Sequence, residues 1–178
     1  RLETIHRQIG DFDRYLKWLS DRLSRSKVDG QLLREAVFSV QSEAKAAEIR
    51  IDEIHFGEPP PDLAIEVFRT DLLLVLKNIV RNAILALGRQ SEQRRVLGLE
   101  VSLRMELTGD ESVLIKVTDT SPEEFTTDDI YGRRLDRGLG LVAAAVTRYD
   151  GSIFVEPGHG DYTKAVVIRF FRALGENN

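Results

Sequence analysis

Two asparagines four residues apart, Asn78 and Asn82, lie in the largely apolar stretch 72–87. On a helix that spacing puts both amides on one face. Amides on a core-facing helix are costly unless a polar group meets them. A Mg²⁺ ion carrying phosphates would do so, because it takes oxygen ligands and keeps waters. Two half-exposed asparagines at a helix edge are the plainer alternative. A second candidate is Asp119, which the apolar run 113–118 delivers into a loop. Its carboxylate could accept a hydrogen bond from an exocyclic amine such as that of adenine, or simply start a turn. The third is Arg137-Gly138-Leu139-Gly140-Leu141, opening a helix. Glycines there let backbone N–H groups approach phosphate, and the helix dipole favours negative charge. A turn that needs small residues is again the plainer reading. The stretch is not a P-loop, since no Gly-Lys-Ser/Thr follows. Nor is it a dinucleotide fingerprint, since a long loop precedes it rather than a strand.

Composition narrows the classes. The chain has 178 residues, 42% hydrophobic and 30% charged, enough for one packed domain with or without an appendage. A net charge of −4 gives no support for a nucleic-acid surface. The absence of cysteine excludes disulfides, thiolate zinc sites and cysteine nucleophiles. His6, His55 and His159 are too scattered for a metal site legible in sequence. The apolar run 72–76 is far too short to span a bilayer, so no membrane contact is expected of this segment. The chain opens inside what reads as a helix, as expected of a cytoplasmic piece of a longer protein whose full length could carry a membrane anchor.

The elements that must position these residues follow from periodicity. Leu2, Ile5, Ile9, Phe12, Leu16, Leu19 and Leu23 alternate at spacings of three and four. That heptad seam predicts a coiled-coil-like helix which buries its stripe against a second helix, from another copy of the chain. Residues 27–30 break the seam. Residues 31–47 read as one amphipathic helix, Ile49, Ile51 and Ile54 as a strand, 63–68 as another, and 70–87 as an apolar helix capped by Thr70 or Asp71 and closed by Gly88. Residues 96–107 and 112–119 alternate as a hairpin, 120–137 form a long loop, 138–149 a small helix, and 152–156 and 165–171 two last strands. Mixed helices and hairpins predict an α+β, two-layer α/β sandwich with an N-terminal coiled-coil-like helix. Two domains are expected, 1–28 and 29–178.

Taken in order, the three chemical stretches resemble the N, G1 and G2 boxes of the GHKL ATPases. Tyr149-Asp-Gly151-Ser-Ile-Phe-Val-Glu156, then Gly158-His-Gly160 and an apolar strand, is similar to the end of a sensor histidine kinase catalytic domain. The resemblance covers about residues 31–171 and implies the Bergerat ATP-binding fold with ATP and Mg²⁺ as cofactors. It implies that Asn82 holds Mg²⁺ and that Asp119 reads adenine. Arg137, Gly138, Leu139 and Gly140 would line the phosphates, with 120–137 as the lid over ATP. Arg133 and Arg134 could also reach phosphate. Asn78 stands where hydrolysing relatives carry the glutamate that activates water, and an amide cannot act as a general base. The resemblance therefore favours phosphoryl transfer to a histidine over hydrolysis. It implies a response regulator receiver domain as partner and a homodimer through the first helix, which matches a dimerisation helix.

The match departs at three points. The G1 stretch reads Asp119-Thr-Ser-Pro-Glu123, without its two glycines; Asp136 stands where the G2 box usually begins with glycine; and Leu85 replaces a frequent basic residue. Proline stiffens the chain and a carboxylate repels phosphate, so weak nucleotide binding is expected, with a dimeric scaffold as the alternative function. His6 lacks an acidic neighbour and is not expected to be the phosphoacceptor.

Overall fold

The computed structural model describes residues 25–49, 54–89, 96–106, 109–122, 125–132 and 138–173. The heptad seam at 2–23, together with Arg133, Arg134, Asp136 and Arg137, lies outside the described residues. Strands β1 (Arg25–Lys27), β2 (His55–Phe56), β3 (Ala64–Glu66), β4 (Leu97–Met105), β5 (Glu111–Asp119), β6 (Ser152–Pro157) and β7 (Lys164–Phe171) alternate with helices α1 (Gly30–Phe38), α2 (Gln41–Ala46), α3 (Arg69–Gly88), α4 (Thr127–Tyr131) and α5 (Gly138–Arg148). The five-stranded sheet has the order β2-β4-β5-β7-β6. Strand β2 runs parallel to β4, and the other pairings are antiparallel. A two-stranded ribbon, β1–β3, joins its end through the Ile65–Arg172 bridge. The result is the expected α+β two-layer arrangement.

The core lies between one sheet face and the helices. Helix α3 buries Leu72, Leu76, Ile79, Val80, Ile84 and Leu87, each worth about 1.5–3 kcal/mol as an upper estimate. It packs on α1 and α5. Side chains alternate across a strand, so Val113, Ile115 and Val117 of β5 face the helices and join the core with Ile168 and Val166 of β7. Among the described residues the opposite face buries the small cluster Leu114, Ala165 and Val167 beside Phe154.

Several expectations shift. Residues 31–47 form two helices: Ser39 turns its hydroxyl back onto the Ala36 carbonyl (2.6 Å), and Val40 adopts non-helical dihedrals to sit fully buried. Helix α3 starts one residue before Thr70, with Phe68 as its N-cap and no side-chain cap bond. Asp71 accepts instead from the Tyr149 hydroxyl and lies 3.5 Å from Arg148. Gly88 is the last residue of α3, where an added Cβ would lie 2.9 Å from that of Ala47, so glycine there permits close packing. Of the strand expected from Ile49, Ile51 and Ile54, the described residues Ile49 and Ile54 lie in no strand, and β2 begins only at His55. The expected loop 120–137 contains α4, whose Thr126 and Asp129 form a reciprocal capping box. Arg25–Lys27, at the end of the expected first segment, pairs with β3.

Candidate functional site

Strand alternation puts Asp119 on the helix-facing side, one step beyond Val117, at the end of β5. Its neighbour across the β5–β7 ladder is Lys164, and the same alternation turns Lys164 to the same side. The two meet as an ion pair, Nζ to Oδ1 3.4 Å, with Asp119 2% and Lys164 12% exposed at the side chain. The Ser121 N–H also donates to Asp119 Oδ1 (2.8 Å). Lys164 donates to the Ser121 hydroxyl and lies 3.4 Å from its carbonyl oxygen. Thr163 fixes the same turn, its hydroxyl donating to the Ser121 and Asp119 carbonyls at 2.6 and 3.0 Å. The Asp-x-Ser turn is therefore held rigidly although it lacks glycine.

Above this pair lies a cavity of about 90 Å³ between α3, α5 and the sheet end, lined among others by Ile79, Asn82, Ala83, Asp119, Leu139 and Lys164. It brings together residues from all three sequence stretches. Asn82 is half-buried on α3. Leu139 is 3% exposed and Gly140 is buried, both on the first turn of α5. Gly138 opens that helix at φ +52°, the left-handed region that glycine adopts without penalty. Asn78 is not among the residues that line the cavity, and its amide nitrogen donates to the Leu74 carbonyl one turn back (2.8 Å). His55 lies exposed on β2, its Nδ1 3.0 Å from the Tyr162 hydroxyl.

Three lining residues escaped the sequence reading: Lys164, Phe125 and Arg89. Lys164 depends on long-range strand register. Arg89 could have been found, because it is the C-cap of α3, seven residues after Asn82 and so on the same side, one turn beyond Leu85.

The chemistry of the donor set suits a purine nucleotide. A buried carboxylate between apolar side chains and the cations Lys164 and Arg89 can accept from an exocyclic amine, and Asn82 offers an amide oxygen nearby. Among the described residues no three His, Asp or Glu side chains cluster as a metal cage. A Mg²⁺ ion here would draw most of its ligands from phosphate and water, as this ion commonly does. Among the described residues no helix is long and apolar enough to cross a membrane.

The fold is that of histidine kinase ATP-binding catalytic domains. The ATP-binding domain of PrrB from Mycobacterium tuberculosis is similar over 85% of this chain and 99% of its own, with TM-score 0.60 and 21% identity. Full-length ShkA in complex with AMPPNP matches over 85% of this chain and 32% of its own, with TM-score 0.61 and 21% identity. Histidine kinase ThkA, solved in complex with the response regulator protein TrrA, matches over 97% of this chain and 49% of its own, with TM-score 0.63 and 18% identity. At these identities the likeness establishes the fold. No protein-family model and no curated protein sequence matches the chain.

Proposed function

We propose that this chain is the ATP-binding catalytic part of a two-component sensor histidine kinase. An imidazole nitrogen outside the described residues attacks the γ-phosphorus of ATP. The new N–P bond forms as the β,γ-bridging O–P bond breaks, and ADP leaves. Catalysis rests on positioning and on charge stabilisation. Asp119 would hold the 6-amino group of the base, Asn82 would offer its amide oxygen to Mg²⁺, and the backbone at Gly138, Leu139 and Gly140, with the Arg137 side chain, would bind the phosphates. Asn78, an amide, leaves the site without a general base for hydrolysis. The phosphoryl group then passes to a response regulator receiver domain, and the seam at 2–23 joins two copies of the chain. The complex of ThkA with TrrA supports that partner by analogy.

The observation that carries this reading is the convergence of Asn82, Asp119 and Leu139, distant in sequence, on one cavity. One observation favours a second reading, a nucleotide-poor scaffold: a cavity of about 90 Å³ is well below the 300–1,000 Å³ of ordinary ligand pockets. Calorimetric titration of Mg-ATP into the protein separates the two. Heat that disappears in Asn82→Ala supports the kinase reading, and no heat at millimolar nucleotide supports the scaffold.

A further inference from the structure

An ammonium group has chemistry close to that of the amino group a base would bring to Asp119: both donate N–H to a carboxylate. Lys164 supplies such a group from within the fold. It stands directly across the ladder from Asp119, is largely buried, and lines the same cavity. Its stem and head occupy space beside the carboxylate, and the remaining volume is about 90 Å³. Asp119 is 2% exposed, so its carboxylate would be costly there without a partner. Lys164 compensates it before any ligand arrives.

We propose that Lys164 is a tethered competitor of the nucleobase: its ammonium holds Asp119 in the manner of the exocyclic amine, and the base enters only when that ammonium is displaced. This rests on the nucleotide reading above and adds the residue that sets affinity at the base end of the site. The Ser121 hydroxyl and carbonyl are within reach of Lys164 Nζ and belong to the same turn. A displaced ammonium could therefore stay bonded to Ser121 while it releases the carboxylate. The competition acts on the base alone, because Asn82 and the start of α5, where phosphates would lie, are other parts of the cavity rim.

The test compares two ligands, Mg-ATP and Mg-tripolyphosphate, on the unmodified chain and on Lys164→Met, by calorimetry. Methionine keeps the apolar stem and removes the charge. Lys164→Gln, which can still donate to Asp119 and Ser121, serves if the methionine variant folds poorly by circular dichroism. The expected result is that Mg-ATP binds Lys164→Met about tenfold or more tightly than the unmodified chain, the factor that one displaced polar contact supplies. A smaller gain in the same direction is expected for Lys164→Gln, and none for tripolyphosphate. A folded variant whose ATP affinity is unchanged or weaker overturns the competitor role; if the unmodified chain still binds ATP through Asn82, the nucleotide reading survives. An equal gain for both ligands also overturns it, since the effect would not lie at the base. If neither ligand binds any of the proteins, the nucleotide reading itself falls and takes this inference with it.

Discussion

Breaking the Asp119–Lys164 pair from either side should destabilise the domain far more than removing both partners together. At 3.4 Å the two charges attract by about 5 kcal/mol at an effective dielectric constant near 20. Little of this is screened, since the carboxylate is 2% and the lysine side chain 12% exposed. Much of the attraction is offset by the cost of taking both charges out of water. The measurable consequence is therefore the penalty for stranding one of them. Asp119→Asn keeps an oxygen for the Ser121 N–H but leaves the ammonium without its carboxylate, and Lys164→Met leaves the carboxylate. Each should cost about 3–5 kcal/mol. With a urea m-value of about 1–3 kcal/mol/M, that lowers the midpoint by about 1 M or more. The double variant strands no charge and should cost less than either single, giving a coupling of about 3 kcal/mol or more. Urea denaturation followed by far-UV circular dichroism reads all four proteins. Additive losses within about 0.5 kcal/mol, or single losses below about 1 kcal/mol, would show that the pair is not coupled as described.

Three further outcomes follow. Gly138→Ala should lose about 1–2 kcal/mol in the same denaturation assay purely from backbone strain, because φ is +52° and nothing lies within 4 Å of an added Cβ. An unchanged midpoint would contradict the left-handed start of α5. Burial, and then the bond to Asp71, raise the Tyr149 phenol above its usual range. Its folded value thus exceeds its unfolded value of about 10, so its stabilisation is complete below that pH and fades as pH rises through the folded value. Tyr149→Phe should remove this alkaline loss and also weaken the fold at neutral pH, as pH-dependent melting will report; an identical alkaline limb in both proteins contradicts it. Ile9→Glu with Leu16→Glu should give monomers in sedimentation while residues 29–178 stay folded, and a monomeric unmodified chain at high concentration would refute the seam.

Local signals made much of the architecture legible. The apolar period of 72–87 gave α3, the alternation of 113–118 gave β5 with Asp119 at its end, and the paired glycines gave the start of α5. What stayed hidden depended on distant partners. Lys164 reads in sequence as an ordinary lysine before an apolar strand; only the β5–β7 register sets it against Asp119. The break between α1 and α2 reflects how Val40 is buried against the core, which periodicity alone cannot separate from a continuous helix. Helix α4 was legible in principle, since Thr126 and Asp129 have the spacing of a capping box, but polar composition masked it. Asn78 shows the opposite failure. Its spacing from Asn82 is right for a shared face, yet its amide nitrogen donates to the Leu74 carbonyl of its own helix.

The central claim is that this fold binds a magnesium nucleotide between α3, α5 and the end of β5. Isothermal titration of ATP, with and without Mg²⁺, into the unmodified chain, Asn82→Ala and Asp119→Asn tests it most directly. The account predicts weak binding by the unmodified chain, strengthened by Mg²⁺. Asn82→Ala should lose the Mg²⁺ dependence, and Asp119→Asn should lose discrimination between ATP and tripolyphosphate. Binding that ignores both substitutions would contradict the account.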